Sequence, residues 1–600
     1  MANGFGSLYV GSSGLQTSQN GLNVLANNLA NVNTDGYVRQ QVLYADRNYN
    51  PLHEYASVGI QQYGLGVDIG DVIHARDIFL DQSYRSQSGR KAFYDASYDA
   101  TLEVQTFLQE MDGADFKTAM ADLYEAFAEY AKDPADSANQ NLVVQKSELF
   151  LSRAQAVYDG LKEYQKTINT KIKNDVDRIN EIGAAIKDLN TKIQRIEAAH
   201  VETASALRDE RDKYLDELAG LANITYTEQY NGIVTVKLEG QTFISESRAY
   251  EMGMLYDNAT GFQTPYWPHL SDMEKEEYYE VFNLDRVSAT FNNDRGEIKA
   301  LLLARGDHYA DYLDIPDDMS SYEYEIGIGN SVMMNSQAEM DKLVHIIATS
   351  INDIFCKDTT VENSEEAADL MTDMAAAGVD YVTAKDVSGN EYRITADTRI
   401  LDEKNASVGS DRELPPRELF TRTGAERYTE VFVEYPEGSG KNYSFYVYNE
   451  EDSTDESTCY TMHSLSVNHD LIEDQSLIPH RTQNGTLNDY IDYNLSAELQ
   501  AVWSDSLFTI NPNDGTPTTF QGFYTKFVGE LATNSNIFWA TSENMKSTVD
   551  SIDANRQQVI GVSSDEELTN MIKYQNAYNA SSRYINVVNS MIDTLINSMR

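Results

Sequence analysis

Basic residues and cysteines are scarce in this chain of 600 residues. Its 46 Lys and Arg face 95 Asp and Glu, which gives a formal net charge of -49 at pH 7. A chain this acidic repels nucleic-acid phosphates and anionic membrane surfaces, so neither is expected as a partner. The two cysteines, Cys356 and Cys459, are too few for a disulfide framework or a cysteine metal cluster.

Long apolar runs and catalytic motifs are also missing. No window of about 20 residues is apolar enough to cross a bilayer, so no membrane insertion is expected. The N-terminus lacks the basic and apolar regions of a signal peptide. The 9 histidines form no HExxH motif, and no nucleophile–base pair or metal triad is visible. The sequence therefore predicts a protein that is not an enzyme and that holds no cofactor and no metal.

Charged residues are absent from positions 1–34, although 24% of the whole chain is charged. Apolar residues in this stretch follow a spacing of three and four, which is typical of a coiled-coil seam. The residues of this predicted seam are Leu8, Leu15, Leu22, Leu25, Leu29 and Val32.

The C-terminal stretch repeats the same rhythm. Its predicted seam consists of Met571, Tyr574, Tyr578, Ile585, Val588, Ile592, Leu595 and Met599. Each helix could simply pack on its own domain. A solvated helix face is normally charged, however, whereas the outer face of the N-terminal helix is made of Asn, Gln, Ser, Thr and Gly. Such faces suit burial against similar helices, so the sequence predicts a terminal coiled coil that assembles into a polymer.

Helical and strand-rich segments alternate between these ends. Helical periodicity over long stretches predicts a stem of long helices, at 91–131, 161–196, 207–224, 296–356 and from about 537 onward. Asn231–Gly232 between two alternating segments predicts a β-hairpin. Residues 357–524 contain 32 acidic and 11 basic residues and several strand-like pieces. The predicted fold class is mainly α with β-rich insertions: a terminal coiled coil and a long-helix stem from both chain ends, carrying inserted strand-rich outer domains.

We predict four domains from these shifts in pattern. They are a terminal coiled-coil domain (1–37 and 561–600), a helical stem (38–224, 296–356 and 525–560), a strand-rich insertion (225–295) and an acidic variable outer domain (357–524).

Both chain ends resemble a known superfamily. Residues 21–41 read GLNVLANNLANVNTDGYVRQQ and resemble the N-terminal signature of flagellar rod, hook and hook-associated proteins. The specific part of this signature is Asn27, Asn28, Asn31, Thr34, Gly36 and Tyr37. Residues 561–599 are similar to the matching C-terminal segment. Three internal stretches are similar to the hook-associated protein 1 family, which forms the hook–filament junction: 64–85, 120–140 and 207–221.

The resemblance implies a structural component of the bacterial flagellum. The terminal coiled coil would form an inner tube, and about eleven subunits would close into a ring through contacts between copies. This layer would adapt the hook to the filament and support filament growth. Its expected partners are the hook protein, the second hook–filament junction protein, and a cytoplasmic export chaperone at the C-terminal helix, 561–600. The implied location is extracellular at the hook–filament junction, after a transient cytoplasmic stage that precedes type III export.

Two alternatives stay open at this point. Another axial structural protein, such as a hook or distal-rod subunit, would share both termini. A junction protein could also gain adhesion from its acidic insertion, because residues 357–524 match nothing recognisable and are rich in Tyr.

Overall fold

The computed structural model describes residues 3–34, 36–47, 50–51, 62–108, 116–198, 203–436, 438–483 and 491–598. These residues form 13 α-helices. No helix among them is both long enough and apolar enough to cross a bilayer. The helices are α1 (Asn3–Ala30), α2 (Ile78–Leu108), α3 (Phe116–Tyr130), α4 (Ser137–Glu197), α5 (Ser205–Leu221), α6 (Glu297–Arg305), α7 (Ser321–Ile326), α8 (Val332–Phe355), α9 (Ala368–Ala377), α10 (His469–Glu473), α11 (Tyr493–Ala501), α12 (Phe520–Ile560) and α13 (Ser564–Ser598).

Short strands fill the segments between the helices. They are β1 (Gln40–Asp46), β2 (Asn50–Pro51), β3 (Gln62–Tyr63), β4 (Val67–His74), β5 (Ile224–Glu228), β6 (Val234–Leu238), β7 (Gln241–Ile244), β8 (Gly253–Tyr256), β9 (Gln263–Tyr266), β10 (Asp358–Thr360), β11 (Val382–Asp386), β12 (Glu391–Ile394), β13 (Arg399–Leu401), β14 (Ser407–Val408), β15 (Phe420–Arg422), β16 (Tyr428–Glu434), β17 (Asn442–Tyr448), β18 (Leu465–Val467) and β19 (Arg481–Thr482).

Helix α4 is the longest element of the stem. Its 61 residues span roughly 90 Å at 1.5 Å per residue. The predicted apolar row from Leu161 to Ile193 is largely buried along this helix, whereas Ile196 at its end is 41% exposed. Helix α2 contacts α4, and α12 runs antiparallel to α2, since Asp81 pairs with Arg556 and Asp95 with Ser542. The stem is therefore made from both ends of the chain.

Two predicted helix boundaries were wrong. The stretch 91–131 is not one helix: α2 begins earlier, at Ile78, α3 is separate, and residues 109–115 lie outside the described residues. Helix α12 begins at Phe520 rather than near residue 537. Its first turns bury Phe520, Phe523 and Phe527 in the core, and the Thr519 hydroxyl caps it by accepting from the backbone N of Gly522 at 3.1 Å.

The insertions are antiparallel sheets. The predicted hairpin at Asn231–Gly232 is confirmed, because β5 pairs with β6 around it and Gly232 takes the positive φ of 79° that the turn requires. A six-stranded sheet has the order β10-β13-β17-β16-β11-β12. Helix α9 packs on this sheet through Leu370 and Met374 and closes a small core of its own. The predicted fold class, mainly α with β-rich insertions, is confirmed.

The main core crosses the expected boundary at residue 357. Trp503 packs against Phe127 of α3, with ring centroids 6.4 Å apart. Phe420 of β15 packs against Phe150 of α4 at 6.5 Å. The segment 357–524 therefore has two parts: a sheet with a separate core, and a layer that completes the core of the stem.

Candidate functional site

The two terminal helices, α1 and α13, pack against each other in antiparallel orientation. Gly11 faces Ile585, Gly14 faces Ser581, and Gly21 faces Tyr574, so the numbers rise along one helix as they fall along the other. A Cβ on Gly11 would lie 2.7 Å from Cγ1 of Ile585, and one on Gly14 would lie 2.8 Å from the Ser581 hydroxyl. Small residues on α1 thus allow a close approach of the two helices.

The side chains on the buried face of α1 are smaller and more polar than those of the predicted leucine seam. This face consists of Gly6, Gly11, Ser13, Thr17, Ser18, Gly21, Leu25 and Asn28. Among the predicted seam residues, Leu25 is 6% exposed, and the other four leucines are half-buried beside this face. Val32 lies beyond the last residue of α1 and is 37% exposed. The leucine row therefore borders the contact with α13 and keeps part of its apolar surface in solvent.

On α13 most predicted seam residues face α1. Val588 is buried, and five others are half-buried: Met571, Tyr574, Tyr578, Ile585 and Ile592. Leu595 is 49% exposed, and Met599 lies outside the described residues.

Large apolar side chains of α13 also point to solvent. They are each between 43% and 66% exposed: Leu568, Ile572, Tyr584, Val587, Met591, Leu595 and Ile596. Tyr584, Val587, Met591 and Leu595 are spaced by three and four, so these four share one side of the helix, which we call the open face of α13. On α1, Tyr9 is 61% exposed. Large apolar side chains arranged along one helix in this way indicate a surface that is covered by another protein chain.

Asn28 is the centre of the joint between the helix pair and the rest of the chain. It is fully buried. Its amide Nδ2 donates to the backbone O of Gln40 at 2.9 Å and to Oε2 of Glu567 at 3.1 Å. Its Oδ1 accepts from the Tyr37 hydroxyl at 2.8 Å and from the backbone N of Gln40 at 3.0 Å. One side chain thereby links α1, β1 and α13.

The other signature residues shape the turn that follows α1. Asn31 donates to the backbone O of Asn27 at 2.9 Å, and Thr34 donates to Oδ1 of Asn31 at 3.1 Å. Gly36 has a φ of 76° and lies against Lys213. Burial, together with the charges of Asp209 and Glu567, raises the pKa of Tyr37 to about 12, so its hydroxyl stays a donor toward Asn28. These residues position the chain as it leaves α1.

An ion-pair network adjoins this joint on the side of the stem. Arg39 contacts Glu567 at 2.7 Å and Glu566 at 3.1 Å, both on α13. The backbone N of Val38 donates to Asp209 of α5 at 3.2 Å. These contacts tie the segment after α1 to both α13 and the stem.

Three arginines and three aspartates continue the network into the stem. Arg85 of α2 contacts Asp216 at 2.6 Å and Asp212 at 3.1 Å, both on α5. Arg556 of α12 contacts Asp81 at 2.6 Å and Asp216 at 2.8 Å. Arg76 also pairs with Asp212. Burial opposes the charge on Arg85, but Asp216 and Asp212 outweigh it and raise its pKa.

Reasoning from the sequence missed this network. The only signal for it was a pair of charged residues four positions apart on each of two helices that are otherwise core-facing, namely Asp81 with Arg85 and Asp212 with Asp216. Residues spaced by four lie on the same helix face, so each pair had to meet a partner inside the fold. Among the described residues, no group of three or more His, Cys, Asp or Glu is arranged to hold a metal.

Comparison with known proteins gives three family matches. Residues 101–370 match the flagellar hook-associated protein FlgK helical domain, residues 8–37 match the flagella basal body rod protein, and residues 558–599 match the flagellar basal body rod FlgEFG protein C-terminal region. Together these matches cover more than half of the chain, and they include α1, α4 and α13.

Similar proteins cover nearly the whole length. Flagellar hook-associated protein 1 of Bacillus subtilis (strain 168) is 22% identical over 98% of this chain and 96% of its own. The protein of that name from Escherichia coli (strain K12) is 21% identical over 98% of both chains. The flagellar hook junction protein FlgK from Burkholderia pseudomallei aligns in structure with a TM-score of 0.47 and 12% identity, covering 80% of this chain and 100% of that one.

A helix pair formed by the two chain ends, joined to a helical stem, defines an axial structural protein of the bacterial flagellum, and both ends match that class. The chain belongs to the flagellar hook-associated protein 1 family. The function class expected from the sequence, a structural junction protein of the flagellum, is confirmed.

Proposed function

We propose that the chain forms the layer between hook and filament by burying the open face of α13 against other subunits. The observation that carries this proposal is the row of exposed apolar side chains on α13 beside α1, a helix without charge. Fully burying one such side chain contributes about 1.5–3 kcal/mol. Several of them therefore supply enough free energy to hold a subunit in a polymer.

The absence of charge on α1 matters because the chain carries a net charge of -49. Copies of so acidic a protein repel one another at most surfaces. A neutral helix removes this repulsion where copies must meet, and it leaves no charge to desolvate. The predicted seam and signature residues are accordingly proposed as the assembly site, with the leucine row of α1 as part of the contact surface.

The ion-pair network gives the assembled layer its mechanical role in this proposal. Arg39 holds the helix pair through Glu567 of α13, and the neighbouring Val38 donates to Asp209 of the stem. Arg85 and Arg556 bind the stem helices α2, α5 and α12 to one another next to this contact. A force applied to the helix pair is then passed to the stem rather than absorbed by a loose linker. Such a joint suits an adaptor between a bending hook and a stiff filament.

The proposed partners are those of an axial layer. They are the hook protein on one side, the second hook–filament junction protein on the other, and further copies of this chain in a ring of about eleven subunits. We also propose that a cytoplasmic chaperone covers 561–600 before type III export, since the open face of α13 would otherwise promote aggregation. The mature location is then extracellular, at the junction. We further propose that the chain has no catalytic activity.

A clean deletion of the gene tests this function. Hooks seen by electron microscopy would be complete but would lack filaments, and flagellin would accumulate in the medium. Cells without hooks would place the chain in the rod or hook instead. Normal filaments would overturn a role in assembly.

A further inference from the structure

Ile78 and Phe79 are two adjacent large apolar side chains that lie almost free in solvent. They are 69% and 73% exposed, respectively. Both belong to the first turn of α2, at the level where the hairpin of β1 and β4 meets the stem. Single exposed apolar residues are common on protein surfaces, but a fixed pair at a structural joint requires an explanation.

The backbone beneath this pair is held rigidly. Oδ1 of Asp77 accepts from the backbone N of Phe79 at 2.9 Å and from that of Leu80 at 3.3 Å. Arg76 on one side and Asp81 on the other belong to the buried ion-pair network. A small shift of the backbone therefore cannot turn the two side chains into the core, and the fold presents them outward.

The pair adjoins the proposed assembly surface. The backbone N of Ala75 donates to the O of Arg39 at 2.9 Å, and the N of Arg39 donates to the O of Ile560 at 2.9 Å. This ladder sets the start of α2 beside the connection from α12 to α13. Leu568 and Ile572, the first exposed apolar residues of α13, follow shortly after that connection. The exposed pair thus lies at the end of the helix pair where the exposed apolar side chains of α13 begin.

We propose that Ile78 and Phe79 dock on helix α1 of a second copy of this chain. Burying an apolar pair against a charged surface would also desolvate the charges there, which is costly. Among the α-helices of the described residues, α1 is the one that contains no charged residue. It also carries a partly exposed leucine row that includes Leu15, Leu22 and Leu29.

This contact joins unlike surfaces of two identical chains. One copy contributes the start of α2, and its neighbour contributes the outer side of α1. Contacts of this heterologous kind generate rings when the rotation between copies closes. The proposal rests on the proposed function, to which it adds a specific surface and the identity of the partner.

Cysteine cross-linking in assembled flagella tests the contact. Both native cysteines are buried, so introduced cysteines are the reactive ones. The variant Phe79→Cys with Asn23→Cys, treated with a short bis-maleimide, should give covalent dimers of this chain. Each single variant should give none. The matched control pairs Asn23→Cys with Val387→Cys, which is 84% exposed on a distant hairpin, and it should give none. Cross-links to another axial protein, or no cross-links in flagella that contain the chain, would overturn the proposal.

Replacement by serine provides a second test. Ile78→Ser with Phe79→Ser should leave the melting temperature of the purified chain unchanged, because both side chains are already in solvent. Incorporation into flagella should fall by about tenfold or more, whereas Val387→Ser should incorporate normally. Normal incorporation of the serine variant would overturn the contact. Met591→Asp places a charge on the exposed side of α13, where Met591 is 66% exposed. If this variant also incorporates normally, the proposed function itself fails; if only the serine variant does, this contact alone is wrong.

Discussion

Asn28 and Glu567 are 539 positions apart in the sequence, yet Nδ2 of the first donates to Oε2 of the second at 3.1 Å. Both residues are fully buried. This hydrogen bond fixes the register of α1 against α13 and anchors the pair at the end that meets the stem. The relationship explains why an asparagine, whose amide both donates and accepts, is needed at position 28 of this uncharged helix.

Replacing Asn28 by Ala should loosen the terminal helix pair. The change leaves the backbone of Gln40 and a carboxylate oxygen of Glu567 without a buried partner, at a cost of about 1–3 kcal/mol. Hydrogen exchange of the α1 amides should become correspondingly faster. Asn23→Ala is the matched control, because Asn23 is exposed on the same helix, and it should shift stability by less than about 0.5 kcal/mol. Equal protection in both variants would contradict the role of Asn28 as the centre of the joint.

A charge within the predicted seam should prevent assembly. Leu22→Asp or Ile585→Asp places a carboxylate beside the small-residue face of α1, where no cation is available among the described residues of that helix. Neither variant should enter flagella, and the cells should not swim. Ile585→Val keeps the apolar contact and should assemble normally. A motile cell with a normal junction in either aspartate variant would count against burial as the driving force.

The close approach of the terminal helices predicts opposite effects for two glycine substitutions. Gly11→Val should disturb the pair, since even a Cβ at this position would lie 2.7 Å from Ile585. Gly529→Ala in α12 meets nothing within 4 Å and should stabilise its helix by up to about 1 kcal/mol. Hydrogen exchange of α13 would measure the first effect, and thermal unfolding the second. Unchanged exchange in Gly11→Val would show that the helices can separate without loss.

The buried arginines should be far more costly to remove than surface arginines. Arg85→Met leaves Asp212 and Asp216 with one cation fewer in a buried network, which should cost about 3–5 kcal/mol. Arg178→Met removes a pair with Glu217 in which both side chains are 42% exposed, and it should cost at most about 1 kcal/mol. Urea unfolding followed by circular dichroism gives both values. Similar costs for the two variants would contradict the network as the fixed joint.

Alkaline pH should weaken the stem near α8. Oε1 of Glu339 accepts from Asn511 at 2.8 Å, and the same amide donates to Glu530 at 3.0 Å. Burial, reinforced by the charge of Glu530, raises the pKa of Glu339 to about 8, and burial raises that of Asp341 to about 7. The folded chain holds these two protons more tightly than the unfolded chain does. The free energy of unfolding therefore falls as the pH rises from the ordinary pKa of a carboxyl group to these raised values.

The melting temperature should therefore fall by several degrees between about pH 5.5 and pH 9. Glu339→Gln keeps the shape of the side chain and should flatten this slope. Scanning calorimetry across that pH range is the measurement. An unchanged slope in the glutamine variant would assign the pH dependence to other groups.

Much of the architecture follows from periodicity, because α4 and α13 repeat one spacing over many turns. The buried row from Leu161 to Ile193 and the half-buried row from Met571 to Ile592 could be predicted for that reason. The contact face of α1 could not. On this helix a row of leucines and a row of small residues have the same period. The leucines were predicted to form the seam because their side chains are larger and more apolar. The fold instead centres the small residues Gly11, Ser18 and Gly21, since they let the helices come closer.

The ion pairs at and below the joint could not be predicted from periodicity. Arg556 and Asp81 are 475 positions apart, and no local pattern connects them. The early start of α12 was missed for a related reason: residues 520–531 are held in place by aromatic packing, with Phe520 against Trp503 at 5.2 Å. Long-range pairing and packing of this kind come from the topology, which one sequence alone does not specify.

The antiparallel pairing of α1 with α13 makes the two extremes of the chain complete each other. A chain that stops before residue 564 would still contain α1, the stem and both insertions, yet Asn28 would lack Glu567 and Arg39 would lack both of its acids. Such a fragment would form most of the fold, yet it would lack the open face of α13 and the helix that anchors α1. In the proposed assembly, residues 564–598 therefore act as a check on integrity, because a product without them is expected to stay out of the growing structure.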